Sequence, residues 1–168
     1  LLLAGYDPAK IHYIPNGVPE IEGRSFSPPS RSRELLYVGR LTHAKGLLAL
    51  ISAFSNIPDN STRLTIVGDG PIRHEIENVA RNDERISFLG WLDPDVVAAR
   101  YKRSRIVIVP SVWHEVMNTV ICEAQSWGRP VIATHVGGNS DMIKDGITGI
   151  LVPSGNAAEL KNSIRELL

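Results

Sequence analysis

Short apolar runs recur along this chain, separated by longer stretches in which apolar and polar residues mix. The runs are Leu35–Val38, Leu64–Val67, Ile86–Leu89, Ile106–Val109, Val131–Ala133 and Ile150–Val152. They are continuous rather than alternating and too short for helices, which predicts strands covered on both faces. The segments between them predict helices near Ala44–Asn56, Pro71–Arg81, Asp95–Arg103, Thr119–Trp127, Asn139–Lys144 and Ala157–Leu167. In the first of these, Leu47, Leu48, Ile51 and Phe54 line up as an apolar stripe at helical spacing. Such alternation of strand and helix predicts an α/β fold with a doubly wound parallel sheet. Ahead of it, Lys10–Ile14 reads as a short strand broken by Pro15 and the turn pair Asn16-Gly17, and Glu20–Arg33 reads as loop. The chain therefore divides into an entry and loop over 1–33 and a core over 34–168, with no internal repeat and no low-complexity tract.

Composition narrows the function classes. A chain of 168 residues with 43% apolar content suffices for one domain with a real core. Eighteen basic residues balance 18 acidic ones, so nothing steers the chain to nucleic acid, and no basic run marks a membrane patch. No segment approaches the roughly 20 apolar residues that span a bilayer. The single cysteine, Cys122, rules out an internal disulfide and reads as a small core residue; it fits a reducing compartment. The histidines show no metal-ligand spacing, so no metal site is expected. The chain does not begin with Met and opens on what reads as a helix end, and it is read as part of a longer protein.

The candidate chemistry gathers after the fourth apolar run. Glu115 lies in a loop, Asn118 is a natural helix N-cap, and Glu123 falls on the helix that follows. A helix start offers unpaired N–H groups and a positive dipole end, which suit a phosphate. Carboxylates repel phosphate, so two that flank it are better placed to accept from hydroxyls on either side. A ligand with hydroxyls, then phosphates, then hydroxyls is a nucleotide sugar. Eight residues of helix span roughly 12 Å. Glycosidase carboxylate pairs lie roughly 5–9.5 Å apart, so this spacing disfavours hydrolase acid/base work. The blander readings are a first-turn acid for Glu115 and an exposed helix residue for Glu123, although Ile121, Cys122 and Ala124 point to partial burial of Glu123.

Two further turns carry candidates. Gly39-Arg40 closes the first run and Lys45-Gly46 opens the next helix; the two cations either hold a diphosphate or are solvated surface charges. Gly68-Asp69-Gly70-Pro71 is a strand-to-helix turn, and Arg73 stands where a dinucleotide-binding motif would need its third glycine. His43 reads as an exposed loop histidine. Trp91 is open between lid and surface, and Trp113 and His114 are candidates to face an acceptor cleft.

Taken in order, Ile14-Pro15-Asn16-Gly17-Val18, Tyr37-Val38-Gly39-Arg40-Leu41 with Lys45-Gly46, Val67-Gly68-Asp69-Gly70-Pro71, Phe88-Leu89-Gly90-Trp91, Glu115 to Glu123, Gly128-Arg129-Pro130-Val131 and Val136-Gly137-Gly138 resemble the motifs of the retaining glycosyltransferases of family 4. The resemblance covers nearly the whole chain and implies the donor-binding, Rossmann-like half of a GT-B architecture. It implies transfer of a hexosyl group from a UDP-, GDP- or ADP-sugar to an acceptor hydroxyl, without a cofactor. Arg40, Lys45 and the N–H groups of Met117, Asn118 and Thr119 would take the diphosphate, Glu115 the hexose and Glu123 the ribose. Gly39, Gly68, Gly70 and the Leu89 edge would lie close to the donor, and catalysis would rest on Arg40, Lys45 and Glu115. The implied partners are the nucleotide sugar, an N-terminal domain of the same protein, and a glycan, lipid or small-molecule acceptor, but no nucleic acid. The implied location is the cytoplasm, with the other domain giving access to a membrane surface. The isolated chain is expected to be inactive. One departure stands out: Met117 and Asn118 replace the family's aromatic and glycine, so the Asn118 side chain either crowds the phosphate or bonds to it. A GT-B epimerase and a non-catalytic nucleotide-binding domain are the alternatives.

Overall fold

The computed structural model describes residues 4–12, 17 and 31–168. Among these, six strands form one wholly parallel sheet: β1 Glu34–Val38, β2 Arg63–Val67, β3 Ile86–Gly90, β4 Ile106–Val109, β5 Val131–Thr134 and β6 Gly149–Val152. Their spatial order is β3-β2-β1-β4-β5-β6. The connecting helices are α1 Leu47–Ser55, α2 Arg73–Ala80, α3 Pro94–Arg103, α4 Thr119–Ser126, α5 Asn139–Met142 and α6 Ala157–Leu167.

The strands read as unbroken apolar runs because both faces are buried. In β1, Leu35 and Tyr37 join a core with α1, α2 and α6, whereas Leu36 joins one with α3, α4 and α5. The same division separates Ile106 and Ile108 from Val107 and Val109 in β4. Period-two geometry alternates side chains across the sheet, and here each set meets a helix layer. In α1 the buried residues Leu47, Leu50, Ile51 and Phe54 form the stripe that covers the sheet. In α6 Asn156 caps the start by accepting from the Glu159 N–H at 3.0 Å, and Leu160 and Ile164 face inward.

Several boundaries differ from expectation by a residue or two, as where α2 begins at Arg73 rather than Pro71, and three of the differences are instructive. The helix near Ala44–Asn56 is a 3-10 turn, His43–Lys45, followed by α1. Gly46 separates them at φ 70°, and a Cβ there would collide with the Pro110 carbonyl. The helix near Asn139–Lys144 stops at Met142 because Ile143 is extended and buried. Lys10–Ile14 is not a strand at its start: Pro8–Lys10 is a 3-10 turn capped by the Asp7 carboxylate, and Ile11 and His12 belong to no element. Tyr13 and Ile14, most of the Ile14–Val18 motif and the predicted loop up to Ser30 lie outside the described residues.

Arg129 is 2% exposed, and burial pulls its pKa below the ordinary arginine value. Its guanidinium donates to the Trp127 and Ser104 carbonyls at 2.9 and 3.2 Å, tying the α3–β4 connection to the α4–β5 connection.

Candidate functional site

The strand order reverses between β1 and β4, and α1 and α4 leave toward opposite faces. In open α/β sheets a crevice forms at that point, outside the carboxyl ends of the strands. A cavity of about 270 Å³ occupies it, lined by Gly39, Arg40, Lys45, Ser111, Glu115, Met117, Asn118 and Thr119 with apolar neighbours from β1 and β4. A second cavity, about 380 Å³, lies across the Gly39-Arg40 turn, lined by Val67, Gly68, Asp69, Trp91, Leu92 and Val97. Val38, Gly39 and Arg40 line both, so this turn is the ridge between a polar cleft and a largely apolar one. Another cavity of about 370 Å³, near Gln125 and Thr148, sits at the amino ends of β5 and β6, away from this crevice.

Lys45 and Glu115, 70 residues apart, meet here. Glu115 Oε1 accepts from Lys45 Nζ at 2.6 Å and from Ser111 Oγ at 2.8 Å. The Lys45 and Glu115 side chains are only 28% and 17% exposed, so the pair is shielded from solvent. Thr134 Oγ1 donates to the Ser111 carbonyl at 2.5 Å, and Asn139 Nδ2 donates to the Thr134 carbonyl at 3.1 Å. A buried polar chain thus runs from α5 to Glu115. Arg40 is exposed, and its guanidinium has no partner among the described residues. Beneath it the Tyr37 hydroxyl donates to the Arg40 carbonyl at 3.0 Å. Burial, then the charge of Glu115, raises the Tyr37 pKa well above the ordinary phenol value.

The glycines shape this edge through backbone contact. A Cβ at Gly68 would collide with the Gly39 carbonyl, and one at Gly70 with the Leu41 carbonyl. Their turn therefore stacks on the β1 turn, secured by Gly39 N–H to Val67 O at 3.0 Å and Leu41 N–H to Asp69 O at 2.9 Å. Gly68 reaches the second cavity, whereas Gly70 and Leu89 line neither. Gly137 and Gly138 lie against the backbone of Glu115 and Val116, and the Gly138 N–H donates to the Glu115 carbonyl at 2.7 Å.

Glu123 is half-buried and lines neither cavity. The partner its burial demands is Tyr101 of α3, whose hydroxyl donates to Glu123 Oε2 at 2.7 Å. Burial, and secondarily Glu123, pushes the Tyr101 pKa far up. Asn118 occupies the N-cap position of α4, but its side chain makes no capping bond. Tyr101 and Ser111 carry no motif that marks them beforehand, and Tyr37 falls in the Gly39-Arg40 motif only as part of its strand, with no polar role expected of it. His43 is exposed as expected, 3.3 Å from Glu75. Val112, Trp113 and Val116 are exposed around Glu115, Val116 at 93%.

A parallel α/β domain with cations and an open helix start at its switch point is an anion-binding, nucleotide-site architecture. Residues 32–168 match the model of the glycosyl transferases group 1 family, and the chain belongs to that family. It is 31% identical over 139 residues to the alpha-D-kanosaminyltransferase of Streptomyces kanamyceticus, covering 80% of this chain and 36% of that protein. It is 30% identical over 180 residues to the D-inositol 3-phosphate glycosyltransferase of Corynebacterium kroppenstedtii, covering 99% of this chain and 40% of the relative. Among solved structures, Anabaena HepE in complex with UDP-glucose superposes with a TM-score of 0.72 at 26% identity, over 81% of this chain and 39% of that one. The apo form of the lipopolysaccharide outer core galactosyltransferase WaaB superposes with a TM-score of 0.84 at 25% identity, over 99% of this chain and 48% of that one. The chain thus spans well under two thirds of the relatives it matches.

Proposed function

We propose that this chain is the donor-binding domain of a retaining hexosyltransferase and that its 270 Å³ cleft receives the diphosphate and sugar of a UDP-, GDP- or ADP-sugar. The observation that carries this reading is the convergence of Arg40, Lys45, Glu115 and the start of α4 on one cleft. The likeness to HepE, solved with UDP-glucose, supports a nucleotide-sugar donor. The apolar cavity beyond the Gly39-Arg40 ridge fits the nucleoside end.

The chemistry follows from charge. As the bond from sugar to diphosphate breaks, negative charge grows on the departing phosphate. Arg40, Lys45 and the N–H groups at the start of α4 are fixed donors for that charge, and such groups each matter by roughly 10²–10³ in rate. Glu115 would accept from hexose hydroxyls and so orient the reacting carbon. Lys45 gives one of its three N–H donors to Glu115, so a bound phosphate would share the ammonium with that carboxylate and compete with it for charge. Glu123, held by Tyr101, is the candidate for ribose hydroxyls. The acceptor and the opposite wall of the cleft would come from an N-terminal domain, and the reading places the enzyme in the cytoplasm. A thermal-shift series tests the donor assignment: a ligand at 100 times its Kd adds roughly 2.7 kcal/mol of stability. A rise in Tm with UDP, GDP or ADP is expected, and no rise with any of them at millimolar concentration contradicts it.

A further inference from the structure

Asn118 is 7% exposed, yet its side-chain amide has no hydrogen-bond partner among the described residues. Its polar atoms are not sealed in, since among the described residues only Asn139 Oδ1 is buried without a partner; a polar group held this close yet unpaired opens onto the cleft and is available to whatever fills it. An asparagine at an N-cap ordinarily folds back to accept from the next N–H groups. Here it does not, and the N–H groups of Thr119 and Val120 also donate to no protein group among the described residues. All three residues line the polar cleft, together with Lys45 and Arg40. The amide and the open helix turn are therefore unsatisfied at the same place, facing the same space. The surrounding charge selects the occupant. Two cations against the single carboxylate of Glu115, with a helix start, favour an anion, and an anion accepts from the amide Nδ2.

We infer that the Asn118 side chain is a ligand contact that donates to the phosphate distal to the nucleoside, on the Glu115 side of the Gly39-Arg40 ridge. This rests on the donor-site reading above and adds a side-chain determinant where the resembling motif carries glycine.

Calorimetric titration of this chain and its Asn118→Ala and Asn118→Asp variants tests the inference, using the nucleoside mono- and diphosphates of uridine, guanosine and adenosine. For the base that binds, Asn118→Ala should weaken the diphosphate five- to tenfold and the monophosphate less than twofold. Asn118→Asp should weaken the diphosphate more than Asn118→Ala does, through repulsion. The ligand-free Asn118→Ala protein should melt at or above the wild-type temperature, because no native bond is lost. A variant that melts lower yet keeps its diphosphate affinity makes Asn118 structural and overturns the inference. Equal losses for mono- and diphosphate overturn the distal assignment, and undiminished affinity of Asn118→Asp overturns donation to an anion. If wild type binds no nucleotide, the donor-site reading fails and this inference with it; if wild type binds and the variants match it, only this inference fails.

Discussion

Glu115 is the residue on which the site turns. One of its oxygens takes both Lys45 and Ser111, so the carboxylate competes for the very cation a diphosphate needs. Glu115→Gln should release Lys45 and remove a negative charge from the cleft. A bare nucleoside diphosphate should then bind about threefold to tenfold tighter, roughly 0.7–1.4 kcal/mol. A nucleotide sugar should gain less or lose affinity, because the hexose hydroxyls lose their carboxylate. Titration of both ligands against both proteins checks this crossing, and equal changes for the two would contradict it. At Glu123 the test is Tyr101→Phe, which removes a buried donor from a half-buried carboxylate. Losing such a charge-assisted bond should cost about 1.5–3 kcal/mol in denaturant unfolding. The pairing of Lys45 with Glu115 was not legible in the chain, because it depends on β1 lying beside β4, an adjacency that local pattern does not encode. Arg40, Lys45 and Glu115 were legible as candidates, because each lies in the turn or loop that follows a recognisable apolar run; Glu123, on the helix beyond, lines neither cavity.

At the scale of elements, six strands and their helices were readable because each strand is buried on both faces and so leaves an unbroken apolar run. At Lys10 the expected strand start is instead the end of a 3-10 turn set by the Asp7 cap, because Lys10 to His12 are exposed or half-buried and carry no such requirement. The glycines were readable as turns, but their main work is to let one loop's backbone lie on another's. Gly137→Ala should therefore be far more damaging than Gly155→Ala. Both have positive φ, 50° and 72°, but an added Cβ meets the Glu115 carbonyl at Gly137 and open space at Gly155. Conformational strain alone is on the order of 1 kcal/mol. The collision should raise the loss at Gly137 to about 2–4 kcal/mol and displace Glu115 as well. Parallel urea melts and nucleotide titrations of the two variants measure the contrast. Equal, small losses with unaltered binding would show that the loop contact is dispensable.

At the scale of the molecule, the described residues form one sheet with both faces covered, and Arg40, Lys45, Glu115 and the start of α4 lie at its carboxyl edge. On the donor-site reading, that arrangement binds a nucleotide alone and gives a reacting sugar one wall. The chain by itself should show no sustained, acceptor-dependent transfer, since nothing positions an acceptor or excludes water. Turnover by the purified 168-residue chain would contradict that division of labour. The central claim is the location of the phosphate site. Amide chemical-shift mapping during titration with the nucleoside diphosphate that binds tests it most directly. The account predicts the largest shifts at Gly39, Arg40, Thr119 and Val120, on both sides of the polar cleft. Largest shifts at Gln125, Gly128 and Thr148, around the cavity at the amino ends of β5 and β6, would contradict it.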